Sequence, residues 1–293
     1  MVEVLEIIVS GIIDGFTGFL PVSSSGHLAL LRNIFGFGVA QSDFFDIFLK
    51  LAAIITIYFA FSKDCKKIIK ATWDIIRLCI ANVLIFFSSR GSGKKGEYYQ
   101  IAGSGYRKLT LMIMLSTLAT GIVGVFGRDF AKYAAGTVII PAVCIVLTGV
   151  VLFTTYGIPR GDVGINEATY FSAFVIGCVQ GLSVLPGLAR CGMVIACCLL
   201  FGYKSKLTLK FTFLVSLPSL IGIVILDIFD CIAVGIPDVS NIVFYLIAGF
   251  FSIVTGYFGI RIVNRLLKTG SFIYTAVYCL VIGAGAFAAV IVM

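Results

Sequence analysis

The sequence predicts an all-α polytopic membrane protein made of two inverted repeats, each a re-entrant helical hairpin followed by three spans. Three observations carry this. Of 293 residues, 60% are hydrophobic and 12% charged, and the mean hydropathy of +1.10 lies far outside the range of a soluble domain. Residues 11–28, GIIDGFTGFLPVSSSGHL, set polar groups and a proline between two apolar segments of about ten residues, each too short to cross a hydrocarbon core that needs about twenty. Residues 180–192, QGLSVLPGLARCG, answer that stretch: with one slip around the proline, Gly15 maps on Gly181, Thr17 on Ser183, Phe19 on Leu185 and Gly26 on Gly192 at one constant offset.

Taken in order, residues 4–13 and 28–38 read as the two arms of the first hairpin, broken at Pro21 and the serines. Irregular backbone at membrane depth is tolerated only where it is buried in protein or lines a wet cavity, so a site is already implied. Residues 45–62 form the first span, with Asp46 near its start and Lys50 one helical turn on. That lysine either snorkels to the interface or faces the cavity as an anion contact. Residues 63–108 are a polar section that contains a flexible run around Lys94, and its apolar piece 71–89, interrupted by Asp74 and Arg77, is expected to lie on the membrane surface as an amphipathic helix.

Spans follow at 109–127 and 136–156, joined by a short turn holding Arg128, Asp129 and Lys132. The second hairpin, 169–203, breaks at Pro186-Gly187, and three more spans are expected at 208–229, 240–260 and 271–293. Hairpin and three spans thus occur twice, in repeats 1–156 and 157–293. Three is odd, so the second copy sits upside down relative to the first.

The charge distribution orients the chain. Connections that this scheme puts on one side hold 17 of the 22 Lys and Arg, which makes that side cytoplasmic. The opposite side has Arg128 and Lys132, and its 228–239 connection carries Asp230 and Asp238 with no base. Both termini then belong outside. Arg32 is the first basic residue, so the N-terminus lacks the basic region of a secretory signal and is expected to stay on the mature protein. Basic residues between spans, rather than on an aromatic-studded face, exclude a nucleic-acid partner despite the net charge of +8. The nine cysteines are scattered in apolar segments without a C-x-x-C and read as small buried hydrophobes, apart from Cys191 in the second motif.

Hairpins entering from opposite faces bring their tips together near the midplane. Ser23, Ser24 or Ser25 can cap the helix that starts near His27, and Gly187 lets the chain turn into the helix carrying Arg190. Two helix N-termini, the Arg190 guanidinium and a histidine that titrates near neutrality prepare the shared space for a phosphorylated, lipid-borne ligand. Serine and histidine together can supply a nucleophile and a base, or the histidine can protonate a leaving phosphate. Asp14 is suited to position a divalent cation, Mg or Ca.

The first motif resembles E-G-x-T-E-F-L-P-[VI]-S-S-T-G-H of the undecaprenyl pyrophosphate phosphatase family, the bacitracin-resistance type of integral membrane enzyme, and PGLARCG resembles its P-G-x-S-R-S-G-x-T. FFDIFLKLAAI at 44–54 and FTFLVSLP are similar to two further family segments, so the likeness runs from end to end. The resemblance implies dephosphorylation of undecaprenyl diphosphate in a bacterial inner membrane, at a site open to the outer face. It implies Ser24 and His27 as catalytic residues, Arg190 as the diphosphate clamp and Asp14 at the divalent metal; the residues themselves lead us to expect Ser23, Ser25, Thr17, Gly187, Lys50 and Cys191 around the substrate. The expected partners are the polyprenyl diphosphate lipid and the bilayer, with a homodimer as an option. The sequence departs from the family at Gly18, where a second Glu stands, at Ala189 and Cys191 in place of two serines, at Val194 in place of Thr and at Lys50 in place of Gln. A non-hydrolytic polyprenyl-phosphate transporter or lipid-binding relative fits the same architecture and is the competing reading.

Overall fold

The computed structural model describes residues 2–37, 43–92, 97–159, 161–234 and 242–292. The chain is all-α: among the described residues, the only extended pairing is one bridge between Val163 and Tyr203. The described residues form eleven helices, in order α1 (Val2–Phe19), α2 (Ser24–Phe35), α3 (Asp43–Ala60), α4 (Ser62–Ser92), α5 (Gly105–Ala135), α6 (Ile139–Thr154), α7 (Tyr170–Leu182), α8 (Arg190–Leu200), α9 (Ser205–Val234), α10 (Ile242–Thr269) and α11 (Ile273–Val292). The expected runs around Lys94, at Arg160 and at Asp238 lie outside the described residues.

Several helices outrun the expected segments, for one reason. A polar residue does not end a helix; a proline or a left-handed glycine does. Thus α1 is not a ten-residue arm but passes through Asp14 and Thr17 to Phe19, just before Pro21. Likewise Arg128, Asp129 and Lys132 are not in a turn; they ride the last turns of α5, which runs on to Ala135 and closes at Gly136 with an ordinary φ of −81, not a left-handed one. Arg261, Arg265 and Lys268 ride the end of α10. Four helices (α5, α9, α10 and α11) are long and apolar enough to cross a membrane, and α3 joins them only if counted with α4. The third expected span, α6, has 16 residues, about 24 Å at 1.5 Å per residue and short of a 30 Å core.

The helix expected on the surface is longer than 71–89. After a bend of 94° the chain leaves α3 for α4, which keeps Ile69, Trp73, Ile80, Leu84 and Phe87 exposed, as a helix seated in the membrane interface does. Its anchor is polar: Asp64 accepts from Lys210 of α9 at 2.5 Å and from the Tyr106 hydroxyl of α5 at 2.7 Å. Burial raises the Asp64 carboxyl, and the hydrogen bonds from Lys210 and Tyr106 with the lysine's charge outweigh it, holding the group below the usual carboxylate range. A depressed folded value means stability present above the unfolded value of roughly 3.9 and lost as pH falls further. Acid unfolding of wild type in detergent is therefore expected to steepen below that pH and to flatten in Asp64→Asn; equal slopes would remove the anchor's role. Nearby, Lys108 donates to the Asn166 carbonyl and Ser205 to that of Leu267, so the basic connections gather at one end of the molecule.

Contacts recur in pairs. Gly11 and Gly15 of α1 press on Ala248 and Ser252 of α10, as Gly177 and Gly181 of α7 press on Ser116 and Thr120 of α5. In α6 and α11, Gly149 lies on Ala276 and Gly283 on Ala142. Small residues let backbones approach, and hydroxyls bond across the seam, Thr120 to the Gly177 carbonyl at 2.9 Å and Thr255 to that of Ile12 at 3.3 Å. A two-fold relation between the halves requires contacts of this reciprocal kind.

Candidate active site

The two motif stretches meet at their tips. A Cβ on Gly26 would stand 2.7 Å from the Gly187 Cα, and one on Gly192 would stand 3.1 Å from the Pro21 Cβ. These two contacts are mates of each other, since Pro21 and Gly187 occupy equivalent places and the slip falls on Pro186. Each tip is locally strained. Ser23 has φ 71, the one positive φ outside glycine among the described residues, and caps α2 by accepting from the Gly26 N–H at 3.3 Å. Gly187 has φ 104, and Thr148 braces its turn by donating to the Gly187 carbonyl at 2.9 Å and accepting from the Ala189 N–H at 3.0 Å. Helix α8 has no side-chain cap, so its leading N–H groups stay free beside Arg190.

A cavity of about 1070 Å³ lies against the tips and reaches the start of α3 and the ends of α5 and α9. Asp14, Thr17, Gly18, Ser23, Ser24, Ser25, Lys50, Ala189, Arg190 and Cys191 all line it. Thr17 bonds back to the Ile13 carbonyl at 2.6 Å. Val194 is fully buried behind the lining. Five of the 22 basic residues, Arg32, Lys50, Arg128, Lys132 and Arg190, fall outside the connections that the sequence assigns to the cytoplasmic side, and every one of the five lines this cavity. Four of them hold carboxylates: Arg32 on Asp46 at 3.3 Å, Lys50 on Asp227 at 2.7 Å, Arg128 on Asp227 and Asp230 at 3.2 and 2.9 Å, and Lys132 on Asp230 at 2.7 Å. Among the described residues Arg190 has no hydrogen-bonded partner, and Asp14 is the acid whose charge it feels.

His27 is not where the sequence put it. It does not line the cavity; it turns to α11, stacking on Tyr278 with ring centroids 5.7 Å apart and planes at 8°. A carbonyl only accepts, so Nδ1 carries the hydrogen and donates to the Ser23 carbonyl at 2.6 Å, while Nε2 of the neutral ring accepts from the Tyr278 hydroxyl at 2.9 Å. His27 is thus a positioning residue that fixes the strained Ser23 rather than the base beside Ser24. His27→Asn, whose amide reproduces Nδ1, is expected to keep most of the phosphate release that His27→Ala loses; equal losses would return the histidine to chemistry.

The partner of Ser24 is Asp14. That carboxylate accepts from Ser252 at 3.1 Å and has Ser24 as its other hydroxyl neighbour. Gln180 is a residue the motif reading passed over. It is 1% exposed and lines the cavity; its Nε2 donates to Ser219 at 2.8 Å, and its Oε1 has no partner. It precedes Gly181 as Asp14 precedes Gly15, so the duplication marks it. Ser252, Asp227 and Tyr278 lie in apolar spans, where no motif points to them.

Beside the cavity runs an apolar groove of about 1420 Å³ between α3, α4, α5 and α9, and the two share Thr117, Gly121, Val125 and Pro218. A polar pocket that opens into an apolar groove fits an amphiphile. The profile of a family described as bacitracin resistance protein BacA matches residues 7–285. The chain belongs to the bacitracin resistance protein BacA family. BacA relatives named undecaprenyl-diphosphatase include those of Alkaliphilus metalliredigens, 31% identical with 94% of this chain and 95% of the relative covered, Halothermothrix orenii, 28% with 96% and 96%, and Methanobrevibacter smithii, 29% with 96% and 95%.

A divalent ion does not fit the tips of this BacA chain. Asp14 is the carboxylate on the tips themselves; Asp46 and Asp227 also line the cavity but are engaged by Arg32 and by Lys50 and Arg128, and the described residues contain no group of three His, Cys, Asp or Glu that could hold a metal. One turn on, Gly18 leaves open the point where a further ligand would start, 3.5 Å from Ser24 Oγ and 4.0 Å from Asp14 Oδ1.

Proposed function

We propose that this chain removes the terminal phosphate of undecaprenyl diphosphate, leaving the monophosphate carrier, in a cavity open to the outer face of the plasma membrane. The observation that carries the reading is that every basic residue outside the connections assigned to the cytoplasmic side lines one cavity. Cations on the outer side run against the positive-inside bias, and a single anionic ligand accounts for their convergence. The repeats are 1–156 and 157–293, inverted relative to each other, which sends one hairpin in from each face.

Arg190 and the free N–H groups of α8 hold the diphosphate. The Ser24 oxygen bonds to the terminal phosphorus while the bridging P–O bond breaks, and the Ser24 proton passes to Asp14. Undecaprenyl phosphate leaves with the bridging oxygen, whose new charge faces Arg190. Water then attacks the phosphoserine phosphorus, the Ser24 hydroxyl re-forms, inorganic phosphate departs and Asp14 returns its proton to solvent. Fixed charge around a loose phosphoryl transition state does most of the work.

Purified chain given undecaprenyl diphosphate is expected to release undecaprenyl phosphate and inorganic phosphate in equal amounts, and Ser24→Ala to slow this about a thousandfold. A Ser24→Ala variant as fast as wild type would remove the serine from the chemistry. The groove makes a separate prediction about the tail. A Cβ on Gly121 would meet nothing within 4 Å, so Gly121→Phe folds but fills the passage to the groove. Release from undecaprenyl diphosphate should fall about tenfold or more while release from geranyl diphosphate persists; a uniform loss would place the tail elsewhere.

A further inference from the structure

The geometry points to a diphosphate site that works with fixed positive charge in place of a divalent ion, Lys50 being the cation that makes the substitution. This rests on the reading of the cavity as a diphosphate site. Two observations carry it. The tips offer a metal one carboxylate, Asp14, since Asp46 and Asp227 on the cavity wall are paired with cations, and one turn on stands Gly18, where a Cβ would sit in ordinary contact with Ser24 and Asp14. A lone monodentate carboxylate, already accepting from Ser252, is a poor holder for Mg or Ca, which take six or more oxygens. Lys50 meanwhile lies on the cavity wall, within range to act on the Asp14 charge.

The resting partner of Lys50 is what makes it exchangeable. Asp227 is held by two cations, Lys50 at 2.7 Å and Arg128 at 3.2 Å. When an anion enters, Lys50 can leave Asp227 for a phosphate oxygen without stranding the carboxylate, since Arg128 still neutralises it. An ammonium on four rotatable carbons suits that swing, and Arg190 with its fork stays on the tip. Lys50 and Arg190 then bracket the diphosphate from two sides, the arrangement of charge that an ion between two phosphates would otherwise supply.

The test uses the full chain purified in detergent, farnesyl diphosphate for phosphate release and its methylene-bridged, non-hydrolysable analogue for calorimetric binding, each in excess EDTA and in Mg or Ca. Release and binding are expected to be equal in the two buffers. Lys50→Gln should weaken analogue binding about tenfold in EDTA, whereas Asp227→Asn, which frees Lys50, should tighten it, a gain that a structural ion pair would not give. Adding Gly18→Glu to Lys50→Gln should make binding sensitive to EDTA. Binding of wild type that vanishes in EDTA and returns with Mg or Ca overturns the inference, as does analogue binding indifferent to both Lys50→Gln and Asp227→Asn. EDTA-resistant, Lys50-dependent binding without phosphate release in either buffer would sink the hydrolytic reading and leave this one standing. No analogue binding in any buffer sinks both.

Discussion

Arg190→Ala is expected to cut phosphate release by about a thousandfold or more while leaving the protein folded. The argument begins with what Arg190 does not touch. The other four cavity cations have carboxylates in hydrogen-bond range, and Arg190 has none among the described residues. Its removal therefore breaks no hydrogen-bonded ion pair, Asp14 being a neighbour in charge only, and the loss falls chiefly on the ligand. Arg190→Lys should recover only part, because an ammonium keeps the charge but not the two parallel N–H groups that grip a phosphate. Phosphate release and binding of the methylene-bridged analogue decide it. If Arg190→Ala binds the analogue as wild type does, the guanidinium is not the clamp.

The second large effect is structural. Gly187→Ala is expected to destabilise the protein by about 3 kcal/mol or more, read as a loss of thermal stability in detergent. Its φ of 104 disfavours any side chain, and a Cβ there would run into the Pro141 carbonyl and the Cys144 side chain of α6. Those are backbone and packed core, neither of which can step aside cheaply. Because Gly26 rests on the same residue, activity should fall with stability. A Gly187→Ala protein that melts like wild type would mean that the tips can separate at little cost.

Much of this was legible in the chain. The cavity membership of Asp14, Ser24 and Arg190 came from polar residues standing where lipid would not tolerate them, and of the two readings open for Lys50 the structure has the one that faces the cavity. Helix ends were read less well, because Asp14 and Arg128 look like boundaries in a hydropathy profile and are only cavity-facing positions within longer helices. His27 was misplaced for a different reason. Three residues along a helix keep Ser24 and His27 on neighbouring faces, so spacing alone puts the ring near the serine; its contacts are instead with the Ser23 carbonyl and with Tyr278, 251 residues away. Asp227 and Ser252 were missed on the same ground: each matters through a contact with a remote helix.

The hairpin tips meet backbone to backbone, at Gly26 on Gly187, with Gly192 against Pro21 on the other side of the seam. A gate made of side chains opens by rotating bonds; a gate made of main chain opens only if whole helices shift. A phosphate that descends from the charged mouth therefore reaches a closed floor, and carrying it on to the other face would mean prising two packed hairpins apart. Under the proposed function, a lipid headgroup worked on at these tips would leave by the way it came.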